Sequence, residues 1–430
     1  MDALSENRDP GHILLLPFGT SGSVFPFIWL GRLLLRRGHR VTMITAGIHE
    51  KAAASAGLNF IPLGSDVVER MLNEADLWRE VHGSKVAYQH AGEATRYYVE
   101  AIEVLIAREG VPDLMLAPMI CFGARLMREK RGIPLISVHL YPMMFVSAHA
   151  PPLVARVFRW LRRLPLWLRK IVLAMPNPLD FMALRGVWAC CDEHAVTRPM
   201  SLWRQWWHSP DGVLALFPAW FAAPQPDWPG NLLQWDFPME DMVDEKPLEQ
   251  ELMNFLQEGP QPVMFTAGSG QFHAEKFFAT ALELTQQLGC RAVFISAKAG
   301  QVPKELPPSV YVTAYAPFST LLPHARAFVH HGGIGTMSQS LAAGIPQLVV
   351  DMALDQHDNA ERLEQLGVGL SIPASRFSTE RARPLLQRCI SDPTMRARAV
   401  EHAARMKTKR DPAVMLQWLE EKCRNQHPQA

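Results

Sequence analysis

The sequence predicts an α/β protein of two doubly wound domains that face each other across a cleft. Two observations carry this. A strand, glycine turn, helix, strand unit opens at His12, and a second series of such units starts at Pro262 after a proline-rich, acidic passage. Short apolar runs that alternate with helical patterns are the mark of parallel sheets covered by helices. The length of 430 residues also exceeds what one hydrophobic core usually serves, so two domains of about 200 residues are expected.

Composition narrows the class. With 48% hydrophobic and 20% charged residues and a net charge of +1, the chain is ordinary for a globular protein and has no global pull toward nucleic acid. Its 6 cysteines show no Cys-x-x-Cys pair and no metal-ligand spacing with histidine, so they read as reduced thiols, and no metal site is expected. Asp2, Glu6, Arg8 and Asp9 precede only a short apolar run, which excludes a signal peptide, and no apolar stretch is long enough to span a bilayer. A cytoplasmic protein is expected, peripheral at the inner membrane at most.

His12 to Pro17 reads as the first buried strand, Phe18 to Ser23 as a turn, Val24 to Arg37 as a helix closed by Gly38, and Arg40 to Thr45 as the second strand. The Gly19-Thr20-Ser21-Gly22-Ser23-Val24 turn lacks the spacing of a dinucleotide fingerprint, and no acid ends the second strand. Further strands are expected at Asp113 to Leu116 and Leu135 to Val138. The segment from Pro151 to Trp235 then changes character: it holds Trp160, Trp167, Trp188, Trp203, Trp206, Trp207, Trp220, Trp228 and Trp235 of the 12 tryptophans. Arg156, Arg159, Arg162, Arg163, Arg169 and Lys170 fall there with no acid between Pro151 and Pro178. A helical insertion over 151–210 is expected, either packed on the sheet with its bases in water, or offering a membrane surface or a wall for an anionic, fatty ligand.

The linker is placed at Phe237 to Lys246. Beyond it, Pro262 to Thr266, Arg291 to Ser296, Val310 to Tyr315 and Phe328 to His330 read as strands, and Asp411 to Arg424 as an amphipathic helix. The domains are therefore set at 1–235, 236–410 and a C-terminal helix, 411–430. Chemistry concentrates where Ala327-Phe328-Val329-His330 runs into His331-Gly332-Gly333-Ile334-Gly335-Thr336 and a helix begins. Glycines let a ligand approach the backbone, and a helix N-terminus offers free N–H groups and positive potential to an anion. His331 adds a donor that can carry charge. The turn reads as a diphosphate site, and Ser269, Tyr315, Gln339, Asp355 and Gln356 stand at neighbouring strand ends or one helical turn inside.

These residues also carry a resemblance. Tyr315-Ala316-Pro317, His324, His331 to Thr336, Gly344-Ile345-Pro346 and Asp355-Gln356 with Asn359-Ala360 are similar to the donor signature of family 1 glycosyltransferases. Gly19 to Pro26 looks like the acceptor loop of bacterial and sterol members. Phe217-Pro218-Ala219-Trp220-Phe221 and Pro226-Asp227-Trp228-Pro229 resemble a narrower group, the rhamnosyltransferases of rhamnolipid synthesis and, more distantly, sterol glucosyltransferases. The resemblance implies a GT-B fold of two Rossmann-like domains, a C-terminal helix that returns to the first, and an inverting, metal-independent transfer without a cofactor. Its donor site would comprise Ser269, Tyr315, Ala316, His331, Gly332, Gly333, Gly335, Thr336, Gln339, Asp355 and Gln356. Its acceptor side would comprise Thr20, Gly22, Ser23, Phe25, His139, Trp160 and Trp167, with no nucleic-acid partner.

Two departures shape the reading. Gln339 stands where plant members have a glutamate on the ribose hydroxyls, which leans toward a dTDP-sugar. Ser23 stands where bacterial relatives carry the carboxylate that acts as base, and a serine cannot remove a proton unaided at neutral pH. His139 or His49 are the candidates to replace it, unless the acceptor proton leaves late. The expected function is transfer of L-rhamnose from dTDP-L-rhamnose to a lipid hydroxyl such as a 3-(3-hydroxyalkanoyloxy)alkanoate. The alternatives are a UDP-glucose-dependent enzyme acting on a sterol, terpenoid or other apolar alcohol, and a catalytically weakened auxiliary homologue.

Overall fold

Two all-parallel sheets form the molecule, in a computed structural model that describes residues 10–239, 247–268, 274–298, 300–408 and 410–424. The first contains β1 (His12–Leu15), β2 (Arg40–Thr45), β3 (Asn59–Pro62), β4 (Leu114–Ala117), β5 (Leu135–His139), β6 (Gly212–Ala215) and β7 (Leu232–Gln234) in the order β3-β2-β1-β4-β5-β6-β7. The second contains β8 (Val263–Thr266), β9 (Ala292–Ile295), β10 (Val310–Thr313), β11 (Ala327–His330), β12 (Gln347–Asp351) and β13 (Gly369–Pro373) in the order β10-β9-β8-β11-β12-β13. Every residue of β1, β4, β5, β8 and β11 is buried, which is why these strands read as continuous apolar runs.

In each sheet the strand order reverses beside its first strand: at β1 and β4 in one, at β8 and β11 in the other. Ligands bind beyond the carboxyl ends at such a switch point, because the following loops diverge there. The Gly19 turn follows β1. His330 is paired with Thr266, so the Gly268 and His331 turns leave the second sheet side by side.

The C-terminal helix Pro412–Arg424 returns to the first domain. Met415, Leu416 and Leu419 join its core, and Glu420 accepts hydrogen bonds from Arg37 at 3.0 and 3.2 Å and contacts His39 Nε2 at 3.3 Å. Trp418 packs on Gly212, where a Cβ would meet the indole at 2.9 Å.

The insertion is built of short helical pieces. Pro165 divides it into a 3-10 stretch, Arg156–Arg163, and an α-helix, Leu166–Ala174, because proline has no N–H to continue the first. Its arginines are not all turned to water or ligand. Arg156 donates to both oxygens of Asp351 at 2.8 and 2.6 Å and to Ser371 at 2.9 Å. Arg162 pairs with Asp358 at 3.2 Å and with Glu361, while the Leu153 N–H donates to Asp358 at 2.9 Å. Residues of the first domain thus hold the β12 end and the helix Gln356–Leu366 of the second. The side chain of Asp351 is 0% exposed and also binds His357 Nδ1. Burial pushes its carboxyl up, but the His357 and Arg156 hydrogen bonds outweigh this and hold it below the usual range. A depressed carboxyl stabilises the fold above its unfolded value of about 4 and loses that effect as pH falls through the folded one.

Replacing Arg156 with alanine leaves Asp351 buried with only His357. The expected cost is about 2–3 kcal/mol of unfolding free energy, read as a lower urea midpoint; an unchanged midpoint would show that the pair does not hold the domains.

Candidate functional site

The cleft between the domains encloses about 1170 Å³. Thr20, Gly22, Ser23, Phe25 and Trp160 line one side, and Tyr315, Ala316, His331, Gly333, Gly335, Thr336, Gln339, Asp355 and Gln356 the other. The expected residues that fall elsewhere are Gly332, His139 and Trp167. Ser269 lies outside the described residues.

The two histidines at the β11 end do different work. His330 is fully buried, with Nε2 bonded to Gln347 Oε1 at 2.9 Å and Nδ1 accepting from the Gly332 N–H at 3.1 Å. It therefore fixes the turn. Gly332 has φ of +90° and sits over Val349, where a Cβ would come within 2.6 Å, so its role is to let the chain reverse and not to line the cleft. His331 faces the cleft. Its ring lies between two glycine backbones: a Cβ at Gly268, also at φ +90°, would reach Cε1 at 2.6 Å, and one at Gly333 would reach Nε2 at 2.5 Å. Desolvation pushes its pKa down to about 4, so at neutral pH it is an uncharged N–H donor. Its Nδ1 is buried with no hydrogen-bond partner.

The helix Ile334–Ala343 starts at Gly333 without a side-chain cap and without an acid in its first turn, so its first N–H groups and positive dipole end point at the cleft. Asn359 ties this turn to the next strand end, donating to the Gly332 carbonyl at 3.0 Å and to Asp355 Oδ2 at 2.6 Å. Burial pushes the Asp355 carboxyl up to about 6. Gln356 accepts the Met352 and Ala353 N–H groups at 2.8 and 3.3 Å, which bends the preceding loop and leaves its amide nitrogen as the part able to donate. That loop carries Leu354 at φ 58°, a conformation unusual for a branched residue.

Across the cleft, the helix Ser21–Arg36 also begins uncapped, at Thr20. Ser23 Oγ packs under Gly19, where a Cβ would lie at 3.3 Å. Neither histidine considered as its replacement lines the cleft. His139 is 1% exposed, pairs with His208 at 2.9 Å and meets Phe145 edge-on, and burial holds its pKa well below the ordinary value. His49 is buried beneath the turn, 3.4 Å from the Gly19 carbonyl, and burial lowers its pKa too. The β5 end is close to the cleft in sequence, but the side chains alternate and His139 falls on the inner face. Trp167 is 63% exposed on the outer side of its helix.

Several cleft residues escaped the sequence reading. Lys298, in the loop after β9, lines the donor side. Glu80, Lys85, Tyr88 and Tyr141 line the acceptor side. The strand end at Ser296 was a signal for the first. Glu80, Lys85 and Tyr88 lie in or just before a long helix, His82–Glu109, whose pattern is that of any amphipathic helix, and Tyr141 follows β5. Among the described residues, no cluster of three His, Cys, Asp or Glu side chains could hold a metal ion.

Residues 13–144 match the glycosyltransferase family 28 N-terminal domain, and residues 288–422 match the C-terminal domain of erythromycin biosynthesis protein CIII-like proteins. O-mycaminosyltylonolide 6-deoxyallosyltransferase of Streptomyces fradiae is 25% identical over 406 residues, 90% of this chain and 92% of that protein. Elloramycin glycosyltransferase ElmGT of Streptomyces olivaceus is 40% identical over 115 residues, 26% of this chain and 30% of its own. Among solved structures, glycosyltransferase VinC in complex with dTDP superposes with a TM-score of 0.69 at 20% identity, over 96% of this chain and 100% of that one. Spinosyn rhamnosyltransferase SpnG complexed with thymidine diphosphate gives 0.69 at 17%, over 95% and 100%. These superpositions establish the GT-B fold. These relatives support a nucleotide-sugar glycosyltransferase and do not carry the narrower likeness to rhamnolipid enzymes expected from Phe217–Phe221 and Pro226–Pro229.

The glycine clamp on His331 is open to a direct check. Gly333→Ala pushes the ring out of its desolvated slot, so its NMR titration midpoint should rise from about 4 toward the ordinary value of about 6.5; a midpoint that stays put would mean the glycines do not set the ring's surroundings.

Proposed function

We propose that this chain, a nucleotide-sugar glycosyltransferase of GT-B fold, moves a deoxysugar, L-rhamnose from dTDP-L-rhamnose, onto the hydroxyl of an apolar, acid-bearing lipid such as a 3-(3-hydroxyalkanoyloxy)alkanoate. The observation that carries the reading is a single cleft with an uncapped helix N-terminus and a neutral histidine on one wall and an almost wholly apolar chamber on the other. The diphosphate would sit on the N–H groups at Gly333, Gly335 and Thr336, with His331 as donor and Lys298 as the nearby cation, so that the charge developing on the leaving group meets preorganised dipoles. Tyr315, half exposed beside Ala316, would stack on the base. Gln339 would bond the ribose, and its lack of charge suits a dTDP-sugar, which has no 2′-hydroxyl to hold. Asp355 and the Gln356 amide would hold the sugar hydroxyls.

Ser23 keeps a site position but no base role, since neither buried histidine reaches it. The carboxylates that line the cleft among the described residues are Glu80 and Asp355. Deprotonation of the acceptor would therefore come late in the transfer, with little help. A weakened, auxiliary homologue is the outcome if no donor turns over.

Trp167, Ile171, Met175 and Phe181 are exposed in and after the helix Leu166–Ala174, of which Val172 and Leu173 line the cleft, and the exposed Arg163 and Lys170 are near them in sequence. Such a surface supports peripheral contact with an anionic membrane from which the acceptor would enter. Among the described residues no helix is long and apolar enough to cross a membrane. A second reading, glycosylation of a polyketide aglycone, is favoured by the relative named for tylonolide.

Incubation with dTDP-rhamnose, dTDP-glucose or UDP-glucose and a hydroxyalkanoyloxy acid, followed by mass spectrometry, tests donor and acceptor together. Rhamnosylated acid is the expected product; no transfer from any donor while thymidine diphosphate still binds would sink the enzyme reading for this acceptor class. Asp355 gives a pH test. Its carboxyl protonates below about 6 and then loses its capacity to accept sugar hydroxyls. The kcat/KM for the donor should therefore fall as pH drops through about 6, and Asp355→Asn should remove that limb of the profile. A profile unchanged by the substitution would remove Asp355 from the sugar site.

A further inference from the structure

The acceptor chamber is so apolar that its few polar groups are informative. The helix His82–Glu109 enters it by its first turns, and Ser84, Lys85 and Tyr88 line the space. Spacings of three and four residues put Lys85 and Ser84 on the face that carries Tyr88. Tyr88 is 5% exposed, its ring stacks on Trp207 at 6.1 Å, and its hydroxyl is buried with no hydrogen-bond partner. Trp78, in the short turn that precedes this helix, lines the same chamber, and its indole N–H is likewise buried without a partner. A buried donor left unbonded is costly, so two in one apolar chamber mark a place that a ligand oxygen completes.

The charges nearby are mixed: Lys85 lines the chamber, and so does Glu80, while Asp180 lies close enough to act on Tyr88. Lys85 is exposed and has no carboxylate partner among the described residues. The helix starts at Val81 without a side-chain cap and without an acid in its first turn, so its positive end adds to the lysine. The acids close by are turned to other groups. Glu80 accepts from the Arg156 N–H at 2.6 Å, and Asp180 accepts from Ser201 Oγ at 2.6 Å and the Trp203 N–H at 3.2 Å. Burial first, and then the Asp180 charge, hold the Tyr88 hydroxyl well above its usual pKa, so it stays a protonated donor. None of the insertion's arginines lines the cleft, and Arg156 and Arg162 are already held by Asp351, Asp358 and Glu361.

We infer that Lys85, Tyr88 and the Trp78 indole form a subsite that reads a carboxyl group on the acceptor. This deepens the proposed function and rests on its placing the acceptor in this chamber. Lys85 supplies the charge, while Tyr88 and Trp78 each donate to an oxygen. An acid pays a desolvation cost that an alcohol of the same chain does not, so a preference for the acid requires such partners.

Three probes separate the effects: 3-hydroxydecanoate, its methyl ester, and 2-nonanol, which is the same hydroxylated chain without the carboxyl. Binding is read from quenching of intrinsic tryptophan fluorescence with no donor present, so turnover is not needed. The wild-type protein is expected to bind the acid about tenfold more tightly than 2-nonanol. Lys85→Gln, at an exposed position, should abolish that preference and leave 2-nonanol unchanged. Tyr88→Phe should weaken acid and ester by about threefold or more and spare 2-nonanol. Wild-type binding of 2-nonanol as tight as that of the acid, or an acid preference that survives Lys85→Gln, would overturn the subsite. Equal weakening of all three probes by Tyr88→Phe would reduce that residue to packing and remove it. A retained acid preference without any sugar transfer would count against the proposed function instead.

Discussion

A carboxylate with no exposed surface, Asp351, holds the site together. It sits at the end of β12, takes both forks of Arg156 from the other domain, and binds His357 beside Asp355 and Gln356. Removed from water, it is tolerable only because two partners meet it at once. That requirement locks three things in one geometry: the insertion of the first domain, the end of the second sheet, and the helix whose start faces the cleft. Asn359 extends the lock to the Gly332 turn, so the two strand ends that bear His331 and Asp355 move as one unit.

Around that unit the cleft divides into two kinds of surface. The wall built by the second domain is backbone-rich: glycines at 268 and 333 bring main chain close, and the helix at Ile334 offers its N–H groups. Desolvation keeps His331 neutral there, so the positive potential comes from dipoles and Lys298. The opposite wall is made of aromatic and aliphatic side chains, and there the isolated donors of Tyr88 and Trp78 stand out. A polar, anion-holding wall against an apolar one is what transfer from a nucleotide sugar to a greasy alcohol needs.

Much of this was legible in the sequence. Fully buried parallel strands read as apolar runs, and the polar residues just past them fall on the binding rim by topology, so the His331 turn, Asp355, Gln356 and the Gly19 to Ser23 turn could be picked out. Short edge strands such as Leu232–Gln234, half-buried and three residues long, carry too little pattern to find. Pairings across some 200 residues were also invisible: Arg156 and Arg162 look like a free basic face until Asp351, Asp358 and Glu361 come up against them. His139 stood just past the expected strand Leu135 to Val138, and nothing in the sequence showed the side on which it falls. Tyr88 and Lys85 looked like any residues of an amphipathic helix, because what sets them apart is the apolar chamber around them.

Hydrogen–deuterium exchange on the whole protein, with and without thymidine diphosphate, tests the central assignment most directly. Slower exchange of the amides from Gly333 to Met337 and of the loop around Lys298, with the helix His82–Glu109 unchanged, is the expected result. Protection confined to the first domain, or binding with no change at the Gly333 helix start, would contradict the placement of the diphosphate on that turn.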